Sequence, residues 1–590
     1  MTPEIMTSDT PSSNRRLRVL STWNQVAMRA YVRQVFCFPL DRKAGHEVPA
    51  HVHADADADA DALALALALR SRIARGLALA VKQFPHFAGR VCLGPDGRGK
   101  AFVCMAPRDV VSLKLFDHRQ DAADNDQASF AWSYSELQAQ GFPCKAFVGP
   151  LFDLPYRLEE GGGSETGVPA AEVHARIIRG GLLLCFYVHH SLSDGIGICN
   201  FISTFATCTF QNKEAFLGGR GHGHSVAGQG RAGSGYPTDI DVDVPDDKTE
   251  SLVRNFSFEQ LMRKCPEYTI LPVPTGPTAP PPPPPCVRHE DEDEDGSVPI
   301  PKTGRIFRFS LEKIAAMKSM ARDWAKGSVD FSAGEYPSSF ACLAAVTWSF
   351  CTVARLAAQQ PLKTSTADDG ATSARGRFVC SMGDIADKSH LLIPVSWRRR
   401  AFHDSLDGYA SNAVGMARAN TDVHAHLSVA TQSSSSSTAT DALGRMICLV
   451  DTSITAVDER FVVTRTAMFR AAPDPRFVGI NWIPEDPLHF VVNSWRHLGA
   501  DIKFDLPGFG GSDDLDLDLD LDIDHELGAG GRRADAVRRA QPTWNMGAGL
   551  VLPGKKDDEH YEILVTLEEA SMSRLLSNPE WMRWVSDVIE

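Results

Sequence analysis

"YVHHSLSDGIG", residues Tyr187–Gly197, closes a long apolar run and stands where a buried strand is expected to give way to a helix. A histidine at such a corner can turn one ring nitrogen to a cavity while a backbone carbonyl fixes the other. His190 is therefore a candidate general base near neutral pH. Asp194 can cap the helix or pair with an arginine. Gly195 and Gly197 allow close approach of backbone or ligand.

Simpler interpretations of these residues remain open at this point. A buried His190 that donates to a backbone carbonyl, with Asp194 as a helix N-cap, would show the same spacing without any chemistry. A metal site would need further ligands close in space, and His189 and His190 would face opposite sides of a strand. We therefore predict no metal, and the spacing alone does not separate a catalytic from a structural histidine.

The charge of the chain is concentrated in three low-complexity tracts. The chain has 590 residues and a formal net charge of −14, and the tracts at 55–62, 290–295 and 513–526 hold 18 of its acidic residues. Without them the chain would carry about +4. A nearly neutral body gives no reason to expect a nucleic-acid partner, although it can hold a local basic patch for a phosphorylated cofactor.

Cysteine usage and hydropathy predict a cytoplasmic, soluble protein. Thirteen cysteines are scattered without CxxC pairs, and several lie in apolar runs, as buried reduced thiols do. The N-terminus lacks the continuous apolar region of a signal peptide, and no run of about 18 apolar residues predicts a membrane span.

Strand and helix patterns are mixed in both halves without a strict βαβ rhythm, which predicts an α+β fold. In the repeat at 54–69, the Leu-Ala half predicts the start of a helix that ends by Pro85, and the Asp-Ala half predicts a solvated expansion. Helices are also expected from Gly195, over 338–359 and over 568–589.

The length and the composition shifts predict two domains. The expected organisation is a disordered N-terminus at 1–14, a first domain at 15–216, a low-complexity crossover linker with partly ordered pieces at 217–304, and a second domain at 305–590 with a low-complexity insert at 511–535.

"HHSLSDG" resembles the HHxxxDG signature of the acyl-CoA-dependent BAHD acyltransferase superfamily, above all its fungal branch that includes trichothecene 3-O-acetyltransferase. Five further stretches resemble family motifs in the family's order. They are "LSTWNQ" at 20–25, "LALAVKQFPHFAGRV" at 77–91, "SSFACLAAVTWSFCTVAR" at 338–355, "PVSWRRR" to "LDGYASNAV" within 394–414, and "NSWRHLGADIKFDLPGFG" at 493–510.

The resemblance implies two similar chloramphenicol-acetyltransferase-like domains, each a mixed β-sheet flanked by helices, with a channel between them. His190 would lie in the channel as general base and act without an acyl-enzyme. The indole N–H of Trp495, with Ser494 or Asn493 nearby, would stabilise the oxyanion. Acyl-CoA, most simply acetyl-CoA, would be the co-substrate rather than a bound cofactor, and the protein would be a monomer.

For the supporting residues, the resemblance implies that Asp194 is structural and pairs with an arginine, with Gly195 beside it. It also implies that Asp505 pairs across the domains with Arg398. The chain departs from the family at Asn24, where aspartate is usual, and after Asp505, where Leu-Pro replaces an aromatic residue. Asp505 as a solvated loop acid and Trp495 as plain core packing are therefore alternatives.

Three functions are compatible with these observations. The first is transfer of an acyl group, acetyl above all, to a hydroxyl of a secondary metabolite such as a terpenoid. The second is N-acylation or condensation-like amide formation on the same scaffold. The third is a degenerate, non-catalytic binding protein, for which the altered region after Asp505 is the only support.

Overall fold

The computed structural model describes residues 16–40, 56–94, 99–119, 130–158, 167–210, 246–271, 300–327, 337–359, 388–402, 409–432, 437–509 and 531–590. The strands are β1 (Arg16–Val19), β2 (Tyr31–Pro39), β3 (Arg90–Leu93), β4 (Ala101–Met105), β5 (Ser112–Asp117), β6 (Val168–Pro169), β7 (Ala171–Ile178), β8 (Gly181–His189), β9 (Tyr268–Ile270), β10 (Lys302–Ser310), β11 (Lys388–Ser396), β12 (Val414–Asp422), β13 (Val478–Ile480), β14 (His489–Ser494), β15 (Lys503–Phe504), β16 (Arg532–Arg533), β17 (Ala536–Arg539), β18 (Ala548–Val551), β19 (His560–Glu568) and β20 (Asp587–Ile589). The α-helices are α1 (Thr22–Gln25), α2 (Ala56–Gln83), α3 (Tyr134–Ala139), α4 (Gly195–Thr209), α5 (Asp246–Asn255), α6 (Phe258–Met262), α7 (Leu311–Lys326), α8 (Ser339–Gln359), α9 (Ser428–Ala430), α10 (Ser437–Thr455), α11 (Glu459–Ala471), α12 (Glu569–Leu576) and α13 (Pro579–Trp584).

The first lobe is built on a five-stranded mixed sheet of order β17-β2-β8-β7-β5, in which β5 and β7 are parallel. A four-stranded sheet of order β1-β4-β3-β6 lies beside it. Side chains alternate along each strand, so the five-stranded sheet buries two apolar faces. One face packs on α2 and α4, as Phe186 of β8 does against Phe205. We call it the helix-side face. The other face packs on residues 130–154.

The second lobe is built on a seven-stranded mixed sheet of order β12-β11-β14-β18-β19-β10-β20. Its core is covered by α8, which is apolar on all sides because it lies between the sheet and other helices. By length and hydropathy, α8 is the one described helix that could cross a membrane, but 78% of its apolar window is buried within this lobe. The α+β prediction, with two sheet-bearing units, is confirmed.

The lobes do not follow the predicted division of the chain at residue 305. Strand β17 pairs antiparallel with β2, so residues 536–539 form an edge of the first lobe's sheet although they lie far into the C-terminal half. Within the predicted linker, residues 246–271 form α5, α6 and β9 and pack on the second lobe, where Leu261 and Cys265 are fully buried. The remaining stretches at 211–245 and 272–299 lie outside the described residues.

Two predicted helices differ from those observed. The helix of the Ala-rich repeat begins at Ala56, inside the Asp-Ala half, because alanine favours helix and acidic residues are favourable near a helix N-terminus. The single helix expected over 568–589 is instead α12, α13 and the edge strand β20. It breaks at Asn578, whose side chain caps α13, and at Pro579, which cannot continue a helix. Within the expected insert 511–535, residues 531–535 are described and contain β16, and the rest lies outside the described residues.

Candidate active site

The stretch that contains His190 forms the predicted strand–turn–helix. Strand β8 ends at His189, and the N–H of His190 still donates to the carbonyl of Ala30 at 2.8 Å, beside β2. The turn then leads into α4, whose N-cap is Asp194. One carboxylate oxygen of Asp194 accepts from the N–H groups of Ile196 and Gly197, both at 3.1 Å. The helix N-terminus is thus held by a negatively charged cap, which its dipole favours.

Asp194 is also one half of a buried ion pair between the lobes. The guanidinium of Arg398 donates to both carboxylate oxygens, at 2.8 and 2.9 Å, and the N–H of Ala413 donates a further bond at 2.8 Å. The guanidinium of Arg398 also donates to the carbonyls of Tyr409 and Ser411, at 3.1 and 2.6 Å. The expected pairing of Asp194 with an arginine is confirmed. Its carboxylate is fully occupied in this way, and Asp194 holds the turn in place.

The backbone of His190 is fixed by two asparagines. Its carbonyl accepts from the side-chain amide of Asn412 at 2.7 Å. Asn412 in turn donates its backbone N–H and its amide to Asn24 Oδ1, each at 2.8 Å. Asn24 donates to the carbonyl of Leu192 at 3.4 Å. The residue that departs from the family pattern therefore ties α1, the turn and the second lobe together.

The two neighbouring histidines have different surroundings. His189 points to the face opposite the helices, where it lies edge-on to Tyr31 with ring centroids 5.2 Å apart. Burial lowers the pKa of His189 to about 3, so it is neutral. His190 is half-buried and its Nδ1 is buried. Among the described residues nothing hydrogen-bonds that nitrogen, so the backbone carbonyl expected to fix it is not found.

Trp495 begins the loop that follows β14 in the second lobe. The backbone N–H of Trp495 donates to the carbonyl of Val551 at 2.8 Å. Its half-buried ring packs on a small apolar cluster that includes Cys144 of the first lobe. Further along the loop, Leu498 lies against the start of α4, where a Cβ added to Gly195 would be 2.6 Å from Leu498 Cδ1. The loop after Trp495 therefore packs on the first turn of the helix that follows His190. The hydroxyl of Ser494 accepts from the N–H of Arg496 at 3.3 Å.

The expected pairing of Asp505 with Arg398 is wrong. Asp505 is buried and pairs with Arg72 of α2, while its N–H donates to Thr209 Oγ1 at 3.0 Å. Thr209 ends α4, so Asp505 lies one helix length, roughly 20 Å, from the turn that carries His190. The order of motifs along the chain does not specify which carboxylate pairs with Arg398 in the folded protein. The solvated-loop alternative for Asp505 is also wrong.

The sequence did not single out Asn412, whereas the close backbone approach expected at Gly197 is observed. A Cβ on Gly197 would lie 2.1 Å from the carbonyl oxygen of Ala410, so only glycine lets the second lobe approach here. Asn412 lies in the quoted "YASNAV" run, which also provides the carbonyl of Ala410 and the N–H of Ala413 that bond the turn. Across the described ranges, no group of three or more His, Cys, Asp or Glu side chains is arranged to hold a metal ion.

Known proteins resemble part of the chain in sequence. A family model described as the trichothecene 3-O-acetyltransferase-like N-terminal domain matches residues 61–208. Acyltransferase cm3D of Cordyceps militaris is 28% identical over 193 residues, which are 32% of this chain and 35% of that protein. Trichothecene 8-O-acetyltransferase of Fusarium sporotrichioides is 25% identical over 144 residues, 24% of this chain and 29% of that protein. The chain thus matches about a third of the length of these curated relatives.

The fold is shared over nearly the whole chain. The crystal structure of F. graminearum TRI101 complexed with coenzyme A and T-2 mycotoxin has a TM-score of 0.60 at 16% identity, covering 97% of this chain and all of that one. The F. sporotrichioides TRI101 complex with coenzyme A and T-2 gives the same TM-score, identity and coverage. The domain match, the motif order and the shared fold agree with one another. The chain is thus similar to the trichothecene 3-O-acetyltransferase-like N-terminal domain over residues 61–208 and shares its overall fold with the TRI101 structures.

Proposed function

We propose that this protein is an acyl-CoA-dependent O-acyltransferase that transfers an acyl group, most simply acetyl, to a hydroxyl of a secondary metabolite such as a terpenoid. The observation that carries the proposal is the way His190 is held between the lobes. Asp194 with Arg398 fixes the turn on one side of it, and Asn412 fixes its carbonyl. Such a support is what a positioned base requires.

His190 would act as the general base. Because Nδ1 is buried, Nε2 is the nitrogen that meets the acceptor. As the acceptor oxygen attacks the thioester carbonyl, a C–O bond forms and the hydroxyl proton passes to Nε2. The C–S bond then breaks, and the same proton passes to the departing CoA thiolate. No acyl-enzyme forms, so no cysteine or serine nucleophile is needed.

The oxyanion formed in this step needs a hydrogen-bond donor. We assign it to the indole N–H of Trp495, because the loop that carries Trp495 packs on the helix following His190. Ser494 is the weaker candidate, since its hydroxyl already accepts a bond from Arg496 within its own loop.

Within the described residues 504–509, the altered motif gives the non-catalytic alternative little support. It rested on the altered motif after Asp505, and that carboxylate lies at the far end of α4, where it joins α2 to the second lobe's chain. Its neighbours Phe504, Leu506 and Phe509 are buried in the first lobe's core. The departure from the family pattern is therefore absorbed by packing away from His190.

The test is release of free thiol from acetyl-CoA by the purified protein, with a panel of hydroxylated terpenoids and a matching panel of amines. Acceptor-dependent release with hydroxyl compounds and not with amines supports O-acylation. In the His190→Ala variant we expect kcat to fall by about 10²- to 10⁴-fold, the range of a lost general base. Equal release by the two proteins would exclude the proposed base.

Three variants separate the other roles. His189→Leu is the matched control, because His189 is the adjacent histidine on the opposite face and is neutral. It should keep its activity while His190→Ala loses it. Trp495→Phe removes the indole N–H but keeps an aromatic ring in place, and we expect it to lower kcat by about 10²-fold or more. If Ser494→Ala loses activity and Trp495→Phe does not, the oxyanion donor is Ser494.

A further inference from the structure

Gln541 is a buried glutamine whose side chain has no hydrogen-bond partner. The residue is 3% exposed, and within the described part of the chain neither its amide oxygen nor its amide nitrogen is bonded. Its backbone, by contrast, is fully used, with the N–H donating to Phe147 at 3.1 Å and the carbonyl accepting from Gly149 at 3.0 Å. Burying an unpaired amide costs free energy, so such a group calls for an explanation.

Another buried glutamine shows how a structural one is treated in this protein. The amide nitrogen of Gln25 donates to the carbonyls of Leu20 and Ala101, at 3.1 and 2.8 Å. Its amide oxygen accepts from the N–H of Ala101 at 2.7 Å. Both polar ends of Gln25 are thus satisfied within the fold, whereas both ends of Gln541 are left for something else.

Gln541 belongs to the same face of the first lobe's sheet as His190. Along β17, Ala536 and Ala540 pack on the face opposite the helices, and Val537 packs on the helix-side face. The chain stays extended through residue 541, because the N–H of Ala540 still donates to the carbonyl of Arg33 on β2. Side-chain alternation therefore directs Gln541 to the helix-side face.

The same alternation applies to β8. Leu184, Phe186 and Val188 pack on the helix-side face, so His190 falls on it as well. Continuing the observed registers places Gln541 opposite Val32, which pairs with Val188. His190 lies on the strand two places away from that of Gln541 and two residues further along it. Their Cα atoms are therefore roughly 12 Å apart.

We infer that Gln541 is a substrate-recognition residue, whose free amide binds a group that both donates and accepts a hydrogen bond, such as a secondary amide or a hydroxyl. This inference rests on the proposed function. The pantetheine arm of acyl-CoA carries secondary amides, and an oxygenated acceptor carries hydroxyls. Either substrate, with its reacting atoms at His190, could reach a contact about 12 Å away.

The test compares Gln541→Leu with the control Gln25→Leu. Because Gln541 bonds nothing in the free protein, replacing its amide with an apolar side chain should leave Tm unchanged or raise it. Gln25→Leu strands the peptide groups of Ala101 and should lower Tm. In Gln541→Leu, kcat/KM should fall about ten-fold for one substrate, the worth of one lost hydrogen bond, and stay within two-fold for the other.

The outcomes separate the two sources of the ligand. A rise in KM for acetyl-CoA at saturating acceptor identifies the pantetheine arm, and a rise in KM for the acceptor at saturating acetyl-CoA identifies the acceptor. Wild-type values of kcat/KM for both substrates overturn the inference, as does a lowered Tm with unchanged kinetics, which would show a structural role.

A wild-type protein that releases no thiol would overturn the proposed function instead. Calorimetric titration with CoA then decides the role of Gln541. Binding weakened about ten-fold in Gln541→Leu supports recognition, and equal binding by the two proteins overturns it.

Discussion

Asp194 and Arg398 form a buried bidentate ion pair, with N–O distances of 2.8 and 2.9 Å, that crosses from the first lobe to the second directly after the turn carrying His190. The carboxylate also caps α4, so one side chain fixes the helix and the lobe interface together. Any relative movement of the lobes at this point would have to break the pair.

Asp194→Asn should destabilise the protein strongly. The substitution leaves the buried guanidinium of Arg398 without its counter-charge, and removing one partner of a buried pair typically costs about 3–5 kcal/mol. Urea unfolding at neutral pH measures the change. The matched control is Glu459→Gln, which removes the exposed pair with Lys248 and should change the midpoint little. Equal changes in the two variants would contradict the prediction.

Asn412→Ala should lower kcat more than it raises KM. It removes the donor to the carbonyl of His190 and leaves Asn24 Oδ1 without its side-chain partner. We expect a loss of about 1–3 kcal/mol in stability from the stranded acceptors. Steady-state kinetics and thermal unfolding measure the two effects. A variant that is less stable but keeps the wild-type kcat would show that Asn412 supports the fold and not the base.

Gly197→Ala should disrupt the lobe interface. The new Cβ would lie 2.1 Å from a backbone oxygen of the second lobe, and that oxygen cannot move away as a flexible side chain could. Gly327→Ala is the control, because the nearest atom to its Cβ would be 3.6 Å away and its φ is negative. Thermal unfolding should show a clear loss for the first variant and none for the second. Similar Tm values for both would refute the packing argument.

Glu562 should make the protein less stable as the pH falls in the acidic range. Burial alone would raise its pKa, but Arg538 and Arg308 outweigh that effect and hold the pKa at about 2. The folded pKa lies below the unfolded value of about 4.3, so the contribution is present above that value and is lost as the pH falls toward 2. The contribution of the Glu562 carboxylate to the free energy of unfolding is about 3 kcal/mol. In Glu562→Gln, urea unfolding should show lower stability at pH 7 and a shallower loss between pH 4.5 and 2.5. An unchanged slope would exclude this residue as the cause.

The local structure around His190 could be predicted from the sequence because its causes are local. An apolar run, a turn and an acidic cap together specify strand, turn and helix, and the arginine partner of Asp194 was expected from the family. The choice between Asp194 and Asp505 as the partner of Arg398 could not be made, because it depends on tertiary distances that neither spacing nor composition contains.

The division of the chain into lobes was predicted less well for a similar reason. Composition marks low-complexity segments such as the stretch predicted to be a crossover linker. It does not show that residues 536–539 return to pair with β2, since strand patterns do not specify their partners. The end of the last helix was missed although Asn578 and Pro579 carry an explicit local signal for it.

The return of β17 to β2 also governs how the protein can assemble during synthesis. The first lobe's sheet gains its last strand only after residue 539 has left the ribosome, when most of the second lobe has already emerged. Until then β2 has an open edge, which can pair with other extended chains. A fragment ending near residue 216 would keep that edge permanently open to pairing with other extended chains.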